Sequence, residues 1–477
     1  MRQPRDYRTL DKDLRRISQA EIAGFYALRP LHRIGLALIF LSAVALLATA
    51  LMQGAFGSAM VLAGFVVAAY LALNIGANDV ANSAGAAIGA GVIPLGLGLA
   101  LVALSQIAGA LLGSAQVKHT IATQIIAPGS IGGALAAQIM LSALISAALW
   151  VNLAVWLRAP VSTTHSVIGG IAGAGIAAVG PSAVHWPELA RIASAWVAAP
   201  FISAMLAAGL FGFLRWRVHF AEDRRRAALF WLPVFVALAA FVFALYLGWQ
   251  IAPHIGWMPG AGAGLALCAW AVARWHLHRL ITRKGGAGDP SLTARQFLTV
   301  PLVMAAMMSG FAHGANDLAN VAGPLSVLLQ TTGPEAAWLS RSVWLVLIAG
   351  CGIALGSMLF GRNVVQMVGS EITRLNASRA FAAVLAAAST VIGCSALGLP
   401  VSTTHCAVAG VFGIGFYRER EDRLRRKSRK MLPSEERRLR RLFRRSHVWT
   451  IVAAWVVTLP SVALLSALCL TVLRLSG

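Results

Sequence analysis

Apolar residues dominate long stretches of this chain, at about 34–52, 58–76, 93–114, 131–157, 190–214, 228–250, 257–275, 341–362, 378–398 and 448–472. Each run is close to the roughly 20 residues that carry a helix across bilayer hydrocarbon. Shorter Gly-rich pieces follow residues 79, 164, 317 and 404. Together they predict an all-α polytopic membrane protein with about 12 or 13 transmembrane helices.

Polar residues break this pattern at a few places, and the breaks come in pairs. GANDVAN occupies 76–82 and GANDLAN occupies 314–320. APVSTTHSVIGG at 159–170 is echoed by LPVSTTHCAVAG at 399–410, with PVSTTH identical. Asp79 precedes Thr164 by 85 positions and Asp317 precedes Thr404 by 87. Two motifs in the same order at nearly the same separation define two homologous units, about 58–180 and 297–417. The remaining segments are an N-terminus with a first span (1–57), connecting spans and basic loops (181–296), an Arg-rich loop (418–447) and a final span (448–477).

Composition agrees with a membrane setting. The 477 residues are 58% hydrophobic and 12% charged, and the mean hydropathy is +0.73. A soluble protein of this length needs more surface charge. The polar first 33 residues and the long run after them read as a retained span, not a cleaved leader. Cys268, Cys351, Cys394, Cys406 and Cys469 lie singly, without metal or redox spacing, and read as small core residues.

The net charge of +23 could indicate nucleic acid, but its placement indicates topology. Basic residues cluster at 2–33, 215–226, 274–284 and 418–445, short flanking segments where the positive-inside rule operates. With 1–33 cytoplasmic, the first unit begins outside and the second begins inside. An even number of crossings in each unit then gives two inverted-topology repeats with broken helices at the midplane. The N-terminus is expected in the cytoplasm and the chain in a bacterial inner membrane, with the bilayer but no nucleic acid as a partner.

Asp79 and Asp317 are the acidic residues expected within the membrane core, where an ionised carboxylate is expensive and marks function. The plain alternative is that each caps a helix after a Gly break at Gly76 or Gly314. Asn78, Asn82, Asn316 and Asn320 add amide oxygens and donors, and residues 79 and 82, like 317 and 320, share a helix face. Each motif can therefore hold a small hard cation, sodium being the candidate metal at Asp79 and Asp317. Ser162, Thr163, Thr164, Ser402, Thr403 and Thr404 follow Pro160 and Pro400, which favour a helix start. N-terminal N–H groups with clustered hydroxyls make a cradle for a tetrahedral oxyanion. The plain alternative is hydroxyls bonded to their own helix carbonyls. His165, His405 and His313 could contact the anion or titrate, and helix-packing histidines are an equal reading. Metal, redox, hydrolase and phosphate-loop motifs are absent from the sequence.

GANDVAN and GANDLAN paired with PVSTTH twice resemble the inorganic phosphate transporter family of sodium- or proton-coupled symporters. FAHGANDLANVAGP (311–324) and LGLPVSTTHCAVAGVFGIG (397–415) are especially similar. The resemblance implies alternating-access import of phosphate and two half-sites meeting at the midplane, with a homodimer as a further expectation. The Asp and Asn positions of the GAND motifs and the Ser/Thr positions of PVSTTH would line it. No cofactor is expected beyond the coupling ion, sodium or a proton. The chain departs from the family where Gln106 and Val384 stand at positions that often hold glutamate. Sulfate or another oxyanion is the nearest rival substrate. An intramembrane aspartyl enzyme or a channel are remoter readings.

Overall fold

The computed structural model describes residues 31–50, 58–127, 129, 131–157, 161–251, 258–283, 294–332, 343–367, 376–426 and 445–475. The N-terminal 30 residues and most of the Arg-rich loop (427–444) lie outside the described residues. Among the described residues the secondary structure is helical apart from an isolated bridge between Ile126 and Val184.

Helix α1 covers Leu31–Ala50. The first unit then comprises α2 (Ser58–Val80), α3 (Leu95–Gly113), the short α4 (Ala115–Thr123), α5 (Gly133–Leu157) and α6 (Thr163–Val179), followed by α7 (Trp186–Leu214). Helices α8 (Arg224–Ile251) and α9 (Met258–Arg283) pack on each other as a connecting pair. The second unit comprises α10 (Thr299–Asp317), α11 (Ala319–Thr332), α12 (Val343–Met367), α13 (Ala377–Ala396) and α14 (Thr403–Arg426), followed by α15 (Arg445–Leu475). Nine of the described segments are long and apolar enough to cross a membrane. Helices α4, α6, α9, α10, α11 and α14 fall outside the nine, being short, interrupted by polar residues or ending in a charged tail.

Helix packing repeats when the two units are exchanged. Helix α2 lies on α12 and α10 lies on α3; α5 contacts α2 as α13 contacts α10. Helix α15 packs on α5 and α6 of the first unit, while α7 packs on α13 and α14 of the second. Each unit is therefore completed by the helix that follows the other. Two apolar clusters result, one around Phe65, Ile75, Leu144 and Ile168, the other around Leu302, Phe311, Phe381 and Val391.

Residue contacts also give helix direction. Ala72 meets Gly352 and Val80 meets Gly361, so α2 and α12 run parallel. Gln106 bonds Ser357 while Ala110 meets Gly350, so α3 and α12 run antiparallel. Val102 meets Gly310 and Gly113 meets Ala315, so α3 and α10 run parallel. The two GAND helices, α2 and α10, consequently run in opposite senses. That is the relation inverted repeats require.

Gly76 and Gly314 do not break the chain, contrary to expectation. Both lie inside continuous helix, and the GAND motifs end α2 and α10 instead of starting a helix. The interruption comes a few residues later, as a π-helical turn at Ala81–Gly85 in the first unit. In the second it is a step at Leu318 whose torsions remain helical (φ −55°, ψ −37°). The glycines serve close approach: a Cβ on Gly76 would strike the carbonyl of Ile353, and one on Gly314 the carbonyl of Gln106. Between apolar helices, small residues permit the backbone contact that association needs.

Gly76→Ala and Gly314→Ala should each lower the Tm of the purified protein. The gain in helix propensity, at most about 1 kcal/mol, is outweighed by an overpacking cost of about 1–3 kcal/mol against backbone that cannot yield. Gly393→Ala, where a Cβ meets nothing within 4 Å, is the matched control and should leave Tm unchanged or raise it. Equal Tm values for all three variants would contradict this packing.

Candidate functional site

The two PVSTTH segments are built alike. Val161 and Ser162 precede α6 outside any helix, Ser162 being extended (φ −89°, ψ 115°), and Val401 and Ser402 precede α14 outside any helix. Ser162 Oγ accepts from the His165 amide at 3.1 Å, and Ser402 Oγ from the His405 amide at 3.3 Å. These two hydroxyl oxygens cap their helices, a role worth about 1 kcal/mol each. The amides of Thr163, Thr164, Thr403 and Thr404 are at helix N-termini, where N–H groups lack intrahelical acceptors and the helix dipole is positive.

The GAND asparagines hold these segments in place. Asn78 Nδ2 donates to the Val161 carbonyl at 3.4 Å, and Asn316 Nδ2 donates to the Val401 carbonyl at 2.7 Å. The Val401 amide donates back to Asn316 Oδ1 at 3.2 Å. Each asparagine thus clamps the non-helical residue two positions before the threonine that opens the helix. Asn316 and Asn320 are fully buried, while Asn78 and Asn82 are partly so.

Asp79 and Asp317 are both buried. Asp79 Oδ1 accepts from Asn78 at 2.9 Å, Asn82 at 3.2 Å and Thr404 Oγ1 at 2.9 Å. Asp317 accepts from Asn316 at 2.8 Å and Thr403 Oγ1 at 3.2 Å. Thr163 stands beside Asp79, but among the described residues Asp79 Oδ2 completes no hydrogen bond, and neither does Asn320 Oδ1. A buried carboxylate oxygen without a donor is costly unless a cation or proton meets it.

Several bonds join the units to each other. Asn82 Nδ2 donates to Thr404 Oγ1 at 2.9 Å, and Asn320 Nδ2 to Thr164 Oγ1 at 3.2 Å. Thr164 Oγ1 in turn donates to the Val401 carbonyl at 3.2 Å. The second asparagine of each motif, Asn82 or Asn320, therefore reaches across to the opposite PVSTTH helix, while Asn78 and Asn316 hold their own. Asp79 receives its threonine from the other unit and Asp317 from its own. The Asp and Asn candidates with Thr164, Thr403 and Thr404 form one cluster at the junction of the two units.

The histidines divide. The rings of His165 and His405 meet edge to face, 4.8 Å between centroids, and Trp196 packs on His165 at 4.0 Å. Both ring nitrogens of His165 are buried without a hydrogen-bond partner among the described residues. His313 is bonded instead to the Ser83 hydroxyl, which also accepts from Ser309 at 3.4 Å. This Ser83–His313–Ser309 group has no counterpart in the repeated motifs, because Ile75 and Val321 stand where the motif register would place the matching His and Ser.

Sequence reasoning missed Ser83, Ser309, Trp196 and Ser357. Ser83 directly follows GANDVAN, a signal that could have found it; Ser357 belongs to no motif. Ser357 Oγ donates to Gln106 Oε1 at 2.9 Å beside the Gly76 carbonyl, so Gln106 faces the back of the first GAND motif. Val384 instead packs in the apolar cluster around Phe381.

Comparison with known proteins bears on this arrangement. A model described as the phosphate transporter family matches residues 75–466, spanning both GAND and both PVSTTH motifs. A Helicobacter pylori protein described as "Putative phosphate permease" is 36% identical over 427 residues, covering 88% of this chain and 79% of its own length. A Pyrococcus abyssi protein of similar description is 30% identical, covering 85% of this chain and 96% of its own. A solved structure titled "The sodium-dependent phosphate transporter" superposes with a TM-score of 0.76 at 28% identity, covering 88% of this chain and all of that one. These proteins are transporters, not enzymes. The chain is an integral membrane protein that belongs to the phosphate transporter family.

Proposed function

We propose that this chain imports inorganic phosphate in symport with sodium, by alternating access around the junction of its two units. One observation carries the reading: two helix N-termini meet at the buried acids and amides, Thr404 donating to Asp79 and Thr164 accepting from Asn320, and among the described residues Asp79 Oδ2 and Asn320 Oδ1 are left without donors. Helix N-termini with hydroxyls suit a tetrahedral oxyanion. The carboxylates beside them would repel that anion unless a cation binds first. Phosphate and cation then bind together or not at all, and this is the coupling a symporter needs.

Oxygen donors of this kind suit a small hard cation, and the sodium dependence named for the solved relative points the same way. Asp79 and Asp317 would hold sodium with the asparagine oxygens; Thr163, Thr164, Thr403 and Thr404 would hold phosphate. HPO4 can also donate a hydrogen bond, which carboxylate and amide oxygens accept and sulfate cannot supply. Movement between the units would break Asn82–Thr404, Asn320–Thr164 and Thr164–Val401, so the same bonds that bind would gate. The basic segments support a cytoplasmic N-terminus, and the Helicobacter relative supports a bacterial inner membrane.

Asp79→Asn and Asp317→Asn should each reduce sodium-driven uptake of labelled phosphate into proteoliposomes more than about tenfold, with the protein still inserted; a loss of this size is about 1.4 kcal/mol. Unchanged uptake in both would remove the acids from the mechanism. Thr404→Ala, which removes a hydroxyl shared by Asp79 and Asn82, should raise the half-saturating phosphate concentration severalfold; superimposable saturation curves would contradict the cradle. Imposed proton gradients and labelled sulfate complete the comparison. Uptake driven by protons alone would overturn sodium coupling, and preferential sulfate uptake would overturn the substrate.

A further inference from the structure

A cavity of about 460 Å³ lies away from the central site, among α7, α8, the turn before α10, α13 and α14. Arg215, Arg224, Arg225, Arg379 and Arg418 line it, with Phe211, Leu232 and Phe297 as apolar wall. It shares no residue with the GAND and PVSTTH cluster. We propose that this cavity binds the phosphate-bearing headgroup of an anionic lipid.

Charge is the first argument. Glu421 meets Arg215 at 3.1 Å, but among the described residues Arg379 and Arg418 form no ion pair. Among the described residues, the Nε atoms of Arg215 and Arg379 are buried without a hydrogen-bond acceptor. The like charges of Arg215 and Arg418 both act on Arg379. Gathering guanidinium groups beside an apolar wall is unfavourable unless an anion with several oxygens neutralises them. Phosphate oxygens match the planar N–H fork of arginine. Arg379 also lies in the first turn of α13, which Asn376 caps through the Arg379 amide at 3.1 Å. The positive end of that helix adds to the same field.

Position identifies the anion as a lipid. Arg217 stacks over Trp216 at 4.1 Å and over Trp231 at 5.5 Å; Arg279 stacks over Trp275 at 5.0 Å. Such Arg–Trp layers mark the level of lipid headgroups. Phe201 and Met205 of α7 and Phe230 and Leu238 of α8 are exposed apolar side chains on the helices that form the cavity. They offer a surface for acyl chains. Basic pockets between membrane helices on the cytoplasmic side are where anionic headgroups are recognised, and the loop at 215–226 is one of the segments that the positive-inside rule assigns to that side.

The test measures lipid retention by native mass spectrometry and thermal unfolding of the purified full-length protein. Phosphatidylglycerol, phosphatidylcholine and inorganic phosphate are the added probes. Phosphatidylglycerol should raise Tm and stay bound, and phosphatidylcholine should do neither. The Arg379→Gln/Arg418→Gln variant should bind phosphatidylglycerol about tenfold more weakly. Glu421→Gln, which releases Arg215, should bind it more tightly, and Arg224→Gln at the exposed rim should weaken it, so the proposal stays testable if the double variant does not fold. Equal retention of both lipids, or unchanged phosphatidylglycerol binding in Arg224→Gln and Glu421→Gln, would overturn it. So would inorganic phosphate reproducing the stabilisation and displacing the lipid, which would make this a site for a free anion.

Discussion

A carboxylate inside an apolar protein must be met by donors, by a cation or by a proton. This requirement organises the centre of the molecule. Asp79 and Asp317 each draw in the amide beside them and a threonine hydroxyl, and the same amides then clamp the non-helical residues that precede α6 and α14. Remove the acids, and the asparagines lose one of their two acceptors. The helix N-termini would then lose the clamp that aims them. The polar cluster is therefore one network and not a collection of separate contacts.

Duplication makes the network possible and also sets its limits. Two copies in opposite senses bring two helix N-termini and two acids to one junction, a geometry that one copy could not supply. Symmetry is incomplete in ways that matter chemically. Asp79 accepts a threonine from the opposite unit and Asp317 from its own. The Ser83–His313–Ser309 group and the Gln106–Ser357 pair each exist once. The two acids accordingly sit in different surroundings although their motifs are nearly identical. Two chemically distinct carboxylate environments arise this way from nearly identical motifs.

Much of this was legible in the sequence because motif pairs and charge clusters are local signals. The recurrence of GAND and PVSTTH located the acids, the asparagines and the threonines, and the basic segments implied two units of opposite sense, with which the directions of α2 and α10 are consistent. The all-α architecture followed from the apolar runs alone. What escaped was whatever depends on packing between distant helices. Gly76 looked like a breaker because glycine lowers helix propensity, yet its role is set by Ile353, far along the chain. Ser357 sits in no motif, and only the α2–α12 contact gives it Gln106 as a partner. The arginine cavity escaped for the same reason, since its side chains come from five separated segments. The helix starts after Pro160 and Pro400 were by contrast local signals, and Ser162 and Ser402 cap them.

The central claim is that the two PVSTTH helices and the two GAND acids form one anion and cation site. The most direct measurement is an experimental structure of the protein in lipid nanodiscs with sodium and arsenate, a heavier phosphate analogue. The account predicts tetrahedral density within hydrogen-bonding distance of the amides or hydroxyls of Thr164 and Thr404, with a cation against Asp79. Arsenate bound elsewhere, with the Thr164 and Thr404 helix ends still bonded as they are here, would contradict it.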